Sequence, residues 1–147
     1  MTTEGPGAVA RWRGTVIDST AFLGGVFIGG KFHGSHHWFA NLTALGLMVV
    51  CRQTAGPGRW NWAEGLHTSL ERWWLGGIDK SMIVEVTALS SYFILTTFLN
   101  RVTDSSYVSA MTLPWRQFVW GTGIMVLVHL LWEVVFEHRL LKPAVVA

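Results

Sequence analysis

Ionisable side chains interrupt an apolar segment near the C-terminus of the chain. In the stretch 117–138, His129, Glu133 and Glu137 recur every four residues and would form one polar stripe along a helix. A His and a Glu that lie one helical turn apart can orient each other for proton transfer. The spacing therefore indicates candidate acid–base side chains, with His129 the deeper and Glu137 the closer to the charged tail.

Two further carboxylates lie inside apolar segments, Asp18 in 14–30 and Glu85 in 81–100. A carboxylate in hydrocarbon costs a few kcal/mol unless it is paired, protonated or hydrated, so we expect both to face the interior of a bundle. The sequence leaves two interpretations open. In the first, Glu133 and Glu85 only make interhelical hydrogen bonds or reach the interface, where Arg72, Lys80 or Arg139 pairs with them. In the second, a functional set forms with these members: Glu85, His129, Glu133 and Asp18.

Histidines also suggest metal or cofactor binding at two places. His33, His36 and His37 spell HxxHH, a spacing that can hold a metal on one helical face and that resembles one histidine box of membrane di-iron desaturases and hydroxylases. The enzymes of that class use several boxes, and a polar turn is the favoured alternative. His129, flanked by apolar residues, is a candidate axial ligand for a tetrapyrrole.

The composition indicates that these residues lie in a membrane protein. Half of the 147 residues are hydrophobic and 14% are charged, against about a quarter charged in soluble domains. A chain of this length cannot supply several soluble cores around helices this apolar. The small net charge of +2 argues against a nucleic-acid partner.

We therefore predict an all-α integral membrane protein, a four-transmembrane-helix bundle with one amphipathic interfacial helix between spans 2 and 3. The whole chain, 1–147, is expected to form a single polytopic membrane domain. One bent helix over 15–51 is the alternative to two spans there. The predicted spans are 14–30, 37–51, 81–100 and 117–136, and the interfacial helix is 61–75.

The distribution of basic residues sets the expected orientation. Four spans place both termini on one side, and of the eleven Lys and Arg residues eight fall on that side and three on the other. This asymmetry predicts that both termini are cytoplasmic, in the cytoplasmic membrane if the source is bacterial. Asp18, Glu85, His129 and Glu133 then all lie in the cytoplasmic half of the bilayer.

Small residues in the first span predict close helix packing. Gly25 and Gly29 form one GxxxG pair, and Gly30 and Gly34 form another. Contact with another helix of the same chain is the favoured interpretation, and contact with other membrane subunits or a second copy is the alternative.

Three functions fit the sequence, in this order of preference. The first is a small accessory or assembly subunit of a larger membrane complex, and an energy-transducing complex and a cofactor held by His129 are both compatible with it. The second is a small membrane enzyme that uses His129, Glu133 and Glu85 for acid–base chemistry on a lipid or isoprenoid substrate. The third is a proton or ion pathway.

Overall fold

The computed structural model describes residues 4–33, 37–56, 58–73, 78–133 and 135. Within these ranges the chain is helical and has no strand. The helices are α1 (Glu4–His33), α2 (Trp38–Gln53), α3 (Asn61–Arg72), α4 (Lys80–Val102), α5 (Ser106–Met111) and α6 (Trp115–Trp132).

The helix bounds agree with the predicted segments in their centres and differ at their ends. Two helices, over 4–33 and 38–53, replace the single bent helix that was the alternative over 15–51, and that each of them is a membrane span stays a prediction. However, α1 begins ten residues earlier than expected, at Glu4 rather than Gly14. Part of the predicted end of the last span, at 134 and 136, lies outside the described residues.

A short helix, α5, lies in the connection between the predicted spans 81–100 and 117–136. It begins after Ser105, whose hydroxyl accepts hydrogen bonds from the backbone N–H groups of Tyr107 and Val108. This N-cap explains why a short polar segment becomes helical. Tyr92 of α4 fixes the far end of α5 by donating a 2.6 Å hydrogen bond to the carbonyl oxygen of Met111.

Four helices pack around one core. α1 contacts α6 and α2, and α4 contacts α2 and α6, so that the four form a closed ring. The centre of this ring is apolar, because large hydrophobic side chains from all four helices are fully buried there: Phe22, Val26, Met48, Leu89 and Met125.

α1 and α6 run antiparallel and approach closely through glycine. Gly25 lies against the backbone of Trp120 and Gly121, and Gly29 lies against the ring of Trp120. Phe32 stacks on Trp120 with ring centroids 5.6 Å apart. The Gly25/Gly29 face is thus covered by a helix of the same chain, as the favoured interpretation expects; Gly30 is buried, and Gly34 lies outside the described residues.

The outer surface of the ring is unusually apolar. Ile94 and Phe98 of α4 are 64% and 59% exposed, and Phe27, Val119 and Leu127 on the neighbouring helices are also exposed. Among the described residues, α4 is the one helix that has the length and composition to cross a membrane. The fold is therefore all-α with one candidate span by this criterion, and a bundle of four spans is not confirmed.

α3 packs beside the start of α4. Ala63 is its buried residue, in contact with Ile83 and Val84, whereas Trp62 and Trp73 are exposed. The helix ends at Arg72, before the predicted Leu75. Asn61 followed by Glu64 has the spacing of a capping pair, which predicts an N-cap at Asn61. That prediction is wrong, because the preceding Trp60 occupies the cap position with a left-handed backbone (φ 53°) and no side-chain cap bond.

Candidate functional site

The first part of the site is a buried ion triad between three helices. Nη1 of Arg52, in the last turn of α2, donates to Oδ2 of Asp18 at 2.9 Å and to Oε2 of Glu85 at 2.7 Å. All three side chains are almost fully buried. The C-terminal end of a helix favours a cation, so the position of Arg52 in α2 adds to the stability of its charge.

His129 of α6 joins the triad from the fourth helix. Its Nδ1 lies 3.1 Å from Oδ2 of Asp18, and its Nε2 lies 3.3 Å from Oδ1 of Asp79 and 3.7 Å from Oε1 of Glu133. Glu133 follows one helical turn after His129 and is buried beside it. Asp79 caps α4, since its Oδ1 accepts a hydrogen bond from the backbone N–H of Met82.

Each of the four ring helices contributes one residue to this connected network: Asp18 (α1), Arg52 (α2), Glu85 (α4) and His129 (α6). Gly14 makes room for it, because a Cβ at that position would collide with the guanidinium of Arg52. A second polar contact supports the α1–α2 side, where Nε2 of Gln53 donates to Oγ1 of Thr15 at 3.0 Å.

The network lies at one end of the ring and is separated from the other end by the apolar core. Beyond Phe22, Met48 and Leu89, buried polar side chains occur again at Asn41 and Thr96. The ring is thus polar at both ends and apolar between them. No described side chain carries a charge through the middle layer.

The structure brings together all four carboxylate and histidine residues predicted from the sequence. Asp18, Glu85, His129 and Glu133 converge within one cluster, although they come from three helices. Their assigned roles as catalytic or proton-transfer residues stay predictions.

Two members of the cluster, Arg52 and Asp79, were not predicted. Arg52 was assigned to the same side as Asp18 and Glu85, and its position at the end of an apolar span was the available signal. Asp79 precedes the third predicted span and resembles an ordinary N-cap. The proposed partner Lys80 instead lies 3.5 Å from Oε1 of Glu64 and donates to the carbonyl oxygen of Gly56.

The structure describes only part of the predicted histidine cluster at the first turn. His37 is exposed. His36 lies outside the described residues, and so does the side chain of His33. The metal site predicted there stays a prediction.

The tetrapyrrole hypothesis for His129 meets a geometric requirement. Both ring nitrogens of His129 face carboxylate oxygens, at 3.1 Å and 3.3 Å. An axial bond from Nε2 would therefore require Asp79 and Glu133 to move away from the imidazole.

Comparison of the chain with protein-family models, with curated proteins and with solved structures found no match. The functional argument consequently depends on the geometry of the cluster and of the surface around it.

Proposed function

We propose that the chain is an integral membrane protein in which α1, α2, α4 and α6 span the bilayer and α3 lies in the interface. Support comes from the distribution of side chains, which is the reverse of that in a soluble bundle. Charged residues such as Asp18, Arg52 and Glu85 are buried, whereas Phe27, Ile94 and Phe98 face outward. Exposed apolar surface on every side of a ring is costly in water and favourable in lipid.

The orientation proposed from the sequence, with both termini cytoplasmic, places the ion network in the cytoplasmic half of the membrane. In that orientation two exposed tryptophans, Trp62 of α3 and Trp73 immediately after it, lie at headgroup depth. Their position beside the start of α4 agrees with an interfacial helix.

Within this membrane protein, we assign the network a structural role in a non-catalytic subunit of a larger membrane complex. The observation that carries this assignment is the mutual pairing of Asp18, Arg52, Glu85 and His129, one from each helix and each about nine-tenths buried or more. Lipid gives helices no hydrophobic reason to associate, so polar contacts of this kind fix which helices are neighbours. The partners would meet the apolar outer surface.

A proton or ion pathway is less well supported. Conduction would require polar groups or water through the ring, and the layer of Phe22, Met48, Leu89 and Met125 separates the network from the polar end at Asn41. The described packing therefore contains no continuous polar route.

A membrane enzyme is the second candidate, and one observation favours it. Asp79 leaves 22% of its side chain exposed, so the end of the cluster at His129 and Glu133 is its most accessible part. A lipid headgroup could approach there. Glu85, in contrast, is fully buried and accepts a hydrogen bond from Arg52, a setting that favours a structural role for this residue.

The experiment that tests the subunit proposal is purification of the tagged chain in mild detergent at its native expression level. We expect defined membrane subunits to remain with it in fixed stoichiometry through size-exclusion chromatography and to be identified by mass spectrometry. A chain that elutes alone, with no partner and no cofactor absorption, would overturn the proposal. Glu133→Gln, which leaves the four paired residues in place, separates the two candidates, because a subunit keeps its partners and their activity whereas an enzyme loses turnover.

A further inference from the structure

Three potential ligand atoms converge where α4 begins and α6 approaches its end. They are Nε2 of His129, Oδ1 of Asp79 and Oε1 of Glu133. Each offers a lone pair, and carboxylate and imidazole atoms of these residues lie within 4.8 Å of one another. Spacing alone does not make such a cluster a metal-binding site. The imidazole of His129 must also point a nitrogen atom toward the two carboxylates.

The contact made by Nδ1, the other ring nitrogen of His129, determines the direction in which Nε2 points. Nδ1 of His129 lies 3.1 Å and 3.3 Å from the two carboxylate oxygens of Asp18, so Nδ1 carries a proton and donates it. Nε2 carries a second proton in the imidazolium form of the ring and a lone pair in the neutral form, and the neutral form is the one that binds a metal ion. This nitrogen is buried and makes no hydrogen bond, although Asp79 and Glu133 are close.

Two carboxylates that face Nε2 favour a positive charge between them. A second ring proton supplies this charge in the metal-free protein, and a metal ion supplies it when it displaces that proton from Nε2. The carboxylate–imidazole pair on the opposite side of the ring is the arrangement that supports metal-bound histidine in proteins, because it fixes the tautomer and raises the basicity of the ligand nitrogen. Asp18 would be the supporting carboxylate here.

The distances agree with a small divalent ion. Zn²⁺ binds imidazole nitrogen and carboxylate oxygen at about 2.0–2.2 Å in tetrahedral geometry, which places neighbouring ligand atoms about 3.3–3.6 Å apart. The separations of Nε2 from the two oxygens are 3.3 Å and 3.7 Å. The partial exposure of Asp79 provides an access path, and three protein ligands leave a fourth position for water.

A second group of potential ligands lies nearby but already contains a cation. Its members are Asp18, Glu85 and His129. Nη1 of Arg52 already lies between the two carboxylates and supplies their positive charge. A metal ion there would be repelled by the guanidinium.

We propose that Asp79, His129 and Glu133 form a binding site for a divalent transition-metal ion, Zn²⁺ in the first place, with Asp18 as the supporting carboxylate. The site closes the end of the ring by joining α6 to the first residues of α4. It does not depend on whether the chain assembles with other subunits.

The test is a titration of the chelator-treated full-length protein in detergent with Co²⁺, followed by displacement with Zn²⁺. We expect one Co²⁺ per chain with the intense visible absorption of a four- or five-coordinate N,O site, and its loss when Zn²⁺ is added. Asp79→Asn and Glu133→Gln should each weaken Co²⁺ binding at least about tenfold. Asn retains the N-cap at position 79 and Gln is isosteric, so folding is preserved.

The chain contains a matched control in α3. Nε2 of His67 lies 3.7 Å from Oε1 of Glu71, the same separation as in the His129–Glu133 pair, but both side chains are partly exposed. Glu71→Gln should leave the affinity and the spectrum unchanged. Absence of Co²⁺ binding, binding unaltered by Asp79→Asn and Glu133→Gln, or binding lost in Glu71→Gln would each overturn the proposal.

Discussion

Nδ1 of His129 lies 3.1 Å from Oδ2 of Asp18, a residue 111 positions earlier in the chain. This bond joins α1 to α6 and holds the imidazole so that its second nitrogen faces Asp79 and Glu133. One contact therefore connects the packing of the helices to the direction in which a ligand atom points.

The same contact predicts that Asp18 acts on metal affinity without being a ligand. Asp18→Asn weakens the partner of Nδ1 and lowers the basicity of Nε2, so we expect Zn²⁺ affinity to fall about 10–100-fold with one ion still bound per chain. Competition titration with a chromophoric chelator measures this. An unchanged dissociation constant would contradict the supporting role.

Arg52 should be the most sensitive single position for stability. Arg52→Met removes the cation shared by Asp18 and Glu85 and leaves two buried carboxylates without it, at a cost of about 3–5 kcal/mol. Unfolding of the purified protein in mixed micelles with increasing SDS gives the change in free energy.

Two controls accompany the Arg52 variant. Arg116→Met changes an exposed arginine next to the ring of Trp115 and should alter stability by less than about 1 kcal/mol. Adding Asp18→Asn and Glu85→Gln to Arg52→Met should recover most of the loss. If the triple variant is no more stable than Arg52→Met alone, ionic pairing is not the reason for the loss.

Replacement of glycine by alanine in α6 should destabilise the protein at Gly121 and not at Gly123. A Cβ at Gly121 would lie 2.7–2.9 Å from Phe22 and Val26, so Gly121→Ala should cost about 1–3 kcal/mol through overpacking. A Cβ at Gly123 meets nothing within 4 Å, and Gly123→Ala should be neutral or stabilise the helix by up to about 1 kcal/mol. Equal losses in both variants would show that α1 does not pack on this face.

Membrane embedding of α4 is testable at its exposed face. Ile94 is 64% exposed near the middle of the helix, where a lysine in lipid costs about 2.5–3.5 kcal/mol on insertion scales. Ile94→Lys should reduce the fraction of α4 inserted in a glycosylation-based insertion assay. Asn100→Lys, at the exposed end of the same helix, should have little effect; equal insertion of both variants would contradict a transmembrane α4.

Tyr92 should determine how firmly α5 is held. Tyr92→Phe removes the donor to the carbonyl oxygen of Met111 and should cost about 1 kcal/mol. Because the bond is local to α5, hydrogen exchange should become faster in 106–113 and stay unchanged around Asp18. Uniformly faster exchange would indicate that the whole bundle, and not this contact, is weakened.

The sequence was informative about the cluster because ionisable residues in apolar segments are expected to face the interior of a bundle, where they can pair with one another. Asp18, Glu85, His129 and Glu133 were predicted from that argument alone, and the structure brings them together. The choice of partner could not be predicted, because Arg52, Lys80 and Arg72 are equally charged and only the register of α2 against α1 and α4 places Arg52 between the carboxylates.

Helix ends were predicted less well for a similar reason. The extra residues of α1 before Gly14 carry no apolar pattern that requires a helix, and α5 depends on one Ser105 cap and one bond from Tyr92. Backbone conformation at Trp60, which begins α3 in the left-handed region, overrode the cap expected at Asn61. The Tyr92 bond is a tertiary contact that no local pattern contains, whereas the Ser105 cap is local and could have been found in the sequence.

The position of Arg52 in the second helix also determines when the buried charges can pair as the chain is synthesised. A ribosome delivers α1 and α2 first, and their buried charges, one carboxylate and one guanidinium, neutralise each other within that hairpin. Glu85 then arrives with α4 and finds a cation already in place, and His129 arrives last, after every other helix of the ring. Each helix after the first therefore meets a partner that has already been synthesised, so that every buried charge added after α2 finds a pairing group in a segment that is already made.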